Sequence, residues 1–205
     1  MRPEFEKAMA QYTSEKQKAI DRHQREIIAK RIADLQASRA AAEAALDMLI
    51  KRLAELATHI GEVRFAYEFE KWIYDIAKHY DIASRPSFRG DDGHQIDGSI
   101  TIDGTTLLVE AKLTREKSGR DDIALFLNKI GKRAENTRGL FVSIAGFTPQ
   151  AIQDASCDHT PLILMDNTHL FSLIATKRYT FPELIRRMLG NASETGSAYL
   201  EVGRC

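Results

Sequence analysis

Residues 94–112 read HQIDGSITIDGTTLLVEAK. The stretch carries its own turn. Asp103-Gly104 is a strong signal for a two-residue hairpin, because a type I′ turn needs positive φ at both central positions. The β-branched and aliphatic residues on either side read as strands. A two-residue turn sets Ile102 against Thr105, and the same register sets Asp97 against Glu110 and Gln95 against Lys112. Side chains alternate between faces. Gln95, Asp97, Glu110 and Lys112 therefore share one face, and Ile96, Ile100, Ile102, Leu107, Val109 and Ala111 share the other. A slip of one residue would scatter both sets.

Two carboxylates directly opposed, with Cβ atoms about 5 Å apart, repel each other unless a cation sits between them. Hard divalent ions take oxygen ligands, and Mg²⁺ binds through one or two carboxylates while keeping several waters. Lys112 points the same way and can neutralise a carboxylate, touch a phosphate or orient a water. The plainer alternative is a salt-bridged polar face in which Lys112 pairs with Asp97 or Glu110.

Upstream, VRFAYEFEKWIYDIAKHYDI reads as a helix with a wide apolar face formed by Phe65, Phe69, Trp72, Ile73, Ile76 and Ala77. RPSFRGDDGHQ is rich in turn residues. Downstream, DDIALFLNKIGKRA reads as a helix, RGLFVSIAG as a buried strand, and Thr148-Pro149 as the start of a further helix. PLILMD is another buried strand, and THLFSLIAT and FPELIRRML close the chain as helices. The order implies an α/β domain with a mixed sheet flanked by helices.

Between Glu4 and Ile60 there is no Pro or Gly, and strong helix formers dominate. Ile28, Ile32, Leu35, Ala42, Leu46, Leu49, Leu53, Leu56 and Ile60 follow the three- and four-residue steps of a heptad seam, interrupted at Arg39. The expectation is a helical coiled-coil arm over residues 1–60, about 80 Å long at the α-helical rise, and a folded domain over 61–205. The stripe needs a partner. The first choice is a second copy, giving a homodimer; docking on its own domain or on another protein are the alternatives.

The chain has 205 residues, with 29 basic and 29 acidic side chains. Their balance removes any global attraction to nucleic acid or an anionic membrane, so such binding rests on local patches. No apolar run approaches the roughly 18 residues of a membrane span. Cys157 and Cys205 form no metal or redox spacing, and the charged N-terminal stretch does not read as a signal peptide, which points to the cytoplasm. No phosphate-binding glycine loop, Ser-His-Asp order, zinc finger or helix-turn-helix is evident.

IDG (96–98) followed by EAK (110–112) resembles the PD-(D/E)xK motif of restriction-endonuclease-like nucleases. The wider run FEKWI, HQIDG, LLVEAK and TRGLFVSIAGFTPQA is similar to the Mrr-like restriction endonucleases over roughly residues 62–175. The resemblance leaves the helical arm uncovered, and Ile96 stands where the motif's proline can stand. It implies a restriction-endonuclease-like core that hydrolyses phosphodiester bonds. Asp97, Glu110 and the carbonyl of Ala111 would ligate Mg²⁺, with Mn²⁺ as a substitute, and Lys112 would position the attacking water. Glu70 matches the family's helical acidic residue, with Glu68 as its rival. Gln95 matches a polar position near such sites, a structural hydrogen bond being the alternative. His94 reads as a turn or core residue, or else a phosphate contact.

KLTREKSGR (112–120) reads as a mobile loop leaving the active-site strand, and Arg115, Lys117 and Arg120 could grip phosphates near the scissile bond. Lys129, Lys132, Arg133 and Arg138 add to a basic balance downstream. The function implied is a Mg²⁺-dependent DNA endonuclease, by analogy one that defends against foreign DNA. The alternatives are a non-catalytic nucleic-acid-binding or assembly subunit built on the nuclease fold, and a nuclease of RNA or single strands.

Overall fold

The computed structural model describes residues 3–89, 95–96, 98–156 and 160–204; His94, Asp97, Cys157 and Cys205 lie outside them, and of Gln95 only the backbone is described. Asp103 and Gly104 take φ of 50° and 79°, the left-handed pair of a type I′ turn. Around this turn, β4 (Ser99–Ile102) and β5 (Thr105–Lys112) pair antiparallel from Ile102↔Thr105 to Ser99↔Leu108. One more bond, from Val109 N to the Gly98 carbonyl at 2.9 Å, carries the same register to Gly98.

The sheet has five strands in the order β1-β4-β5-β6-β7. β1 (Ala83–Arg85) is antiparallel to β4, while β6 (Arg138–Ser143) and β7 (Leu162–Asp166) extend β5 in parallel. The crossovers β5–α3–β6 and β6–α4–β7 place α3 (Arg120–Gly131) and α4 (Pro149–Ala155) over one face. There Ile123, Phe126, Ala151 and Ala155 pack on Leu108, Phe141 and Leu164. α2 (Val63–His79) and α5 (Phe181–Thr195) cover the other face. Phe69, Trp72, Ile73 and Ile76 of α2 and Leu184, Ile185 and Met188 of α5 join Leu107, Val109, Val142 and Met165 in the larger core. Buried on both faces, β6 and β7 are almost wholly apolar, as a parallel strand must be. β5 departs from that rule: Leu107 and Val109 enter the α2 side, and Leu108, Glu110 and Lys112 point toward α3.

Three expectations need correction. First, HQIDGSITI does not form one strand. Residues Gln95–Ile96 form β3 in a separate two-stranded sheet with β2 (Phe88–Arg89), so Gln95 pairs with Arg89 and not with Lys112. The break falls at Gly98, where a Cβ would lie 1.9 Å from the Tyr74 hydroxyl oxygen and 2.7 Å from Ser87 N. A glycine within a strand pattern often marks such an approach.

Second, α1 (Pro3–Ala57) is unbroken, but its last turns belong to the folded domain. The chain divides into compact units Met1–Ala45 and Leu46–Cys205. Leu53 and Leu56 are buried, and Leu49 and Ile60 pack against the same core. Trp72 Nε1 donates to the Leu49 carbonyl at 2.8 Å. Arg52 bridges Glu68 and Asp75 of α2, each at 2.6 Å. Upstream, Ile28, Ile32 and Leu35 are exposed.

Third, the segment after β5 is tied down. Ser118 is buried and bridges to Phe147, with Ser118 N donating to the Gly146 carbonyl and Thr148 N to that of Ser118. Gly61 N donates to the Leu113 carbonyl at 2.9 Å, and Arg115 Nε donates to the Ile60 carbonyl at 3.2 Å.

The last described segment is latched to the end of β7. Asp166 Oδ1 accepts from Thr168 N and faces His169 Nδ1 at 2.8 Å, while Tyr199 donates its hydroxyl to Asp166 Oδ2 at 2.8 Å. His169 is fully buried and donates from Nε2 to the Leu200 carbonyl at 2.7 Å. Burial alone would raise the Asp166 carboxyl, but the hydrogen bonds from His169 and Tyr199 outweigh it and hold it below the ordinary carboxylate range. A depressed folded value stabilises above the unfolded value near 4, and the contribution is lost as pH falls through the folded value. Asp166→Asn should therefore unfold at lower urea than the wild type at pH 7, by about 1–3 kcal/mol. The gap should narrow as pH falls below about 4; a gap independent of pH would contradict this reading of the latch.

Candidate active site

β5 and α3 run antiparallel across the sheet face, and their polar residues meet in pairs. Asp122 is the third residue of α3, and its Oδ2 accepts from the Gly119 backbone N–H at 2.9 Å, capping the helix start. Its Oδ1 accepts from Lys112 Nζ. Two turns on, Lys129 Nζ donates to Glu110 Oε2 at 2.8 Å. About 10 Å separates Asp122 from Lys129 along the helix, against about 7 Å between Glu110 and Lys112 along the strand. The flexible lysine stems absorb the difference. The side chains of Glu110 and Lys112 are 26% and 29% exposed, which places both at the rim of the core.

Desolvation raises the Asp122 carboxyl, but the Lys112 ammonium and the Gly119 N–H together carry it below its ordinary value. Asp122 is thus an ionised anchor for Lys112. The four groups open into a cleft of about 280 Å³ that is also lined by Asn128 and Lys132. Among the described residues, three lysines and two carboxylates line it, a balance that favours an anionic ligand.

The structure brings Glu110 and Lys112 to one cleft, with Ala111 between them on β5 and its side chain packed against the α2 core. Asp97, which the extended register would set beside Glu110, lies outside the described residues. Glu70 is on α2, the helix covering the opposite face, and its Oε1 accepts from Ser87 Oγ at 2.5 Å. Glu68, its rival, is held by Arg52. Arg115 is engaged by the Ile60 carbonyl, and Arg120 pairs with Asp154 at 2.6 Å. Lys117 lines a different cavity of about 500 Å³, beside Gly146, Asp166, Asn167 and Tyr199.

Two residues of the cleft stand out that the sequence did not assign to the site chemistry, Asp122 and Lys129. Their signal was the i, i+7 spacing on one helix face, legible only once α3 is known to lie over β5. Among the described residues, no group of three or more His, Cys, Asp and Glu side chains is assembled to hold a metal. No helix among them is long and apolar enough to cross a membrane.

A sequence model of the restriction endonuclease family (Mrr_cat) matches residues 65–174, more than half of the chain. No curated protein and no solved structure matches. The matched span runs from α2 through β7 and includes both members of each ion pair in the cleft.

Proposed function

The chain belongs to the Mrr_cat restriction-endonuclease family, and from that premise we propose that it is a Mg²⁺-dependent DNA endonuclease hydrolysing phosphodiester bonds. The single observation that carries the reading is the placement of Glu110 and Lys112 together on one strand face at the mouth of one cleft.

The donors proposed are oxygen donors: carboxylate and carbonyl oxygens are the ligands Mg²⁺ and Mn²⁺ prefer. Asp97, Glu110 and the carbonyl of Ala111 would hold the ion. Bound there, it would supply charge neutralisation on the phosphoryl oxygens and activation of water. Lys112, held in place by Asp122, stabilises the charge that grows on the scissile phosphate, the kind of preorganised contact that contributes most to rate. Glu70 and Gln95 are the further polar positions that the family pattern assigns near the site. Arg115, Lys117 and Arg120 follow the backbone of the duplex.

The exposed stripe Ile28, Ile32 and Leu35 joins two copies as a coiled coil, giving a homodimer with one site per strand. Defence against foreign DNA, in the cytoplasm, is the setting that the family suggests. A second reading has a specific observation behind it. Glu110 and Lys112 are each ion-paired within the chain, as a retired site in a DNA-binding or assembly subunit would be.

Incubation with supercoiled plasmid, linear duplex, single-stranded DNA and RNA, in Mg²⁺ or EDTA, separates these readings. The expected result is nicking or linearisation of duplex DNA in Mg²⁺ alone. Intact nucleic acid in every Mg²⁺ reaction would favour the non-catalytic reading, and cleavage restricted to RNA or single strands would change the substrate.

A further inference from the structure

We propose that the cavity beside Asp166 takes one amino-bearing nucleobase of the bound strand, with the Asp166 carboxylate accepting from the base and Lys117 on the adjoining phosphate. The inference deepens the proposed nuclease reading, on which its strand source rests, by adding a base contact to it.

The cavity and the Glu110–Lys112 cleft lie on one row of the sheet. Lys112 of β5 pairs with Ser143 of β6, and Ser143 pairs with Asp166 of β7. Residues in one row point to one face, so Asp166 projects, like Lys112, toward the side that α3 and α4 cover. Two strand spacings, about 10 Å, separate them. The row between is filled by buried hydroxyls: Ser118 Oγ donates to Ser143 Oγ at 3.0 Å, and Ser143 Oγ donates to the Gly146 carbonyl at 2.9 Å. A strand held at Lys112 therefore has a neighbouring nucleotide within reach of Asp166.

The cavity, of about 500 Å³, has the size of a small-molecule site. Phe147, Pro149 and Ile152 give it an apolar wall, which suits the flat face of a base. At its polar end Asp166 is only 8% exposed. Asp166 Oδ1 accepts from the backbone N–H groups of Thr168 and His169 and faces His169 Nδ1. Oδ2 accepts one described hydrogen bond, from the Tyr199 hydroxyl, and a carboxylate oxygen has room for two. Gly146 passes this oxygen without a side chain; a Cβ there would lie 3.7 Å from Oδ2. The carboxylate is ionised, held below its ordinary range by its hydrogen bonds, so the group that completes Oδ2 is a donor. Cytosine and adenine present an amino group at the edge where thymine and uracil present a carbonyl. Lys117 is exposed at the same cavity. Its place is fixed by Ser118, whose N–H donates to the Gly146 carbonyl and whose carbonyl accepts from Thr148 N. A cation at the edge and an acceptor within match the phosphate and the base of one nucleotide.

The test uses the full chain in EDTA, so that binding is read without cleavage. Isothermal titration calorimetry compares dCMP with dUMP, and dAMP with deoxyinosine monophosphate. Each pair exchanges an amino group for a carbonyl at one ring position. The amino member of at least one pair should bind about ten-fold more tightly, the effect of one hydrogen bond to a charged group. Lys117→Ala should weaken that nucleotide and leave its nucleoside unchanged. Asn167→Trp, at an exposed position on the cavity wall, should remove binding while the urea midpoint is kept. An oligo(dC) or oligo(dA) strand should bind more tightly than the matching mononucleotide. Equal affinities within both pairs, or undiminished binding by Asn167→Trp, would overturn the base site. A strand that binds no better than its mononucleotide would overturn the strand source and make a free nucleotide the ligand. The plasmid assay separates this from failure of the underlying reading. A preference for the amino base in a chain that cuts nothing fails the nuclease alone, and cleavage without the preference fails the base site alone.

Discussion

Alanine in place of Lys112 is expected to lower the rate of plasmid cleavage by about 10²–10³-fold, the loss typical when a preorganised charge-stabilising donor is removed. The fold should survive the change. Lys112 is partly exposed, and its one described ion pair is with Asp122; such a pair contributes about 1 kcal/mol or less. Asp122 keeps its hydrogen bond from the Gly119 N–H after the substitution, so the start of α3 remains capped. The far-UV circular dichroism and urea midpoint should therefore move little while turnover collapses. A contact made only in the transition state lowers kcat and kcat/KM together, and that split distinguishes Lys112 from a lysine that merely binds DNA. Cleavage by Lys112→Ala at the wild-type rate would remove this residue from the chemistry.

The largest stability effect is expected at Gly98. Its Cα lies against the Tyr74 hydroxyl and the backbone nitrogen of Ser87, so a Cβ would sit 1.9 Å from the first and 2.7 Å from the second. Tyr74 is buried, and Ser87 N is main chain, so neither yields without moving α2 or the connection after β1. Gly98→Ala should cost about 2–4 kcal/mol, at the upper end for overpacking, and lower the urea midpoint accordingly. Activity should fall as well. Gly98 adjoins Asp97, its carbonyl accepts from Val109 N at 2.9 Å, and Ser87 binds Glu70. Wild-type stability in this variant would show that the close approach is not required.

Much of the fold was legible because its signals are local. Asp103-Gly104 announces the turn, the turn fixes the register, and the alternation of Ile100, Ile102, Leu107 and Val109 fixes the buried face. The unbroken apolar runs of β6 and β7 announce strands covered on both sides. What escaped the sequence is tertiary. The break at Gly98 comes from Tyr74 and Ser87, which approach through space. The docking of Leu49, Leu53 and Leu56 on α2 uses the same spacing as a coiled-coil seam, so periodicity alone cannot say what covers them.

The candidate site divides in the same way. Glu110 and Lys112 share a face because they are two residues apart on one strand, and that is readable directly. Asp122 and Lys129 enter the cleft only because α3 runs back over β5, and no spacing between helix and strand encodes the crossing. Glu70 was placed by its position on α2, a helix that covers the other face of the sheet, and its hydrogen bond to Ser87 depends on how the chain returns after β1.

The central claim is that Asp97 and Glu110 jointly hold a divalent ion beside Lys112. Crystals of the protein soaked in Mn²⁺, measured for anomalous scattering, test it most directly. The expected result is a peak touched by the carboxylates of both Asp97 and Glu110. No peak at Glu110 under saturating Mn²⁺ would contradict it.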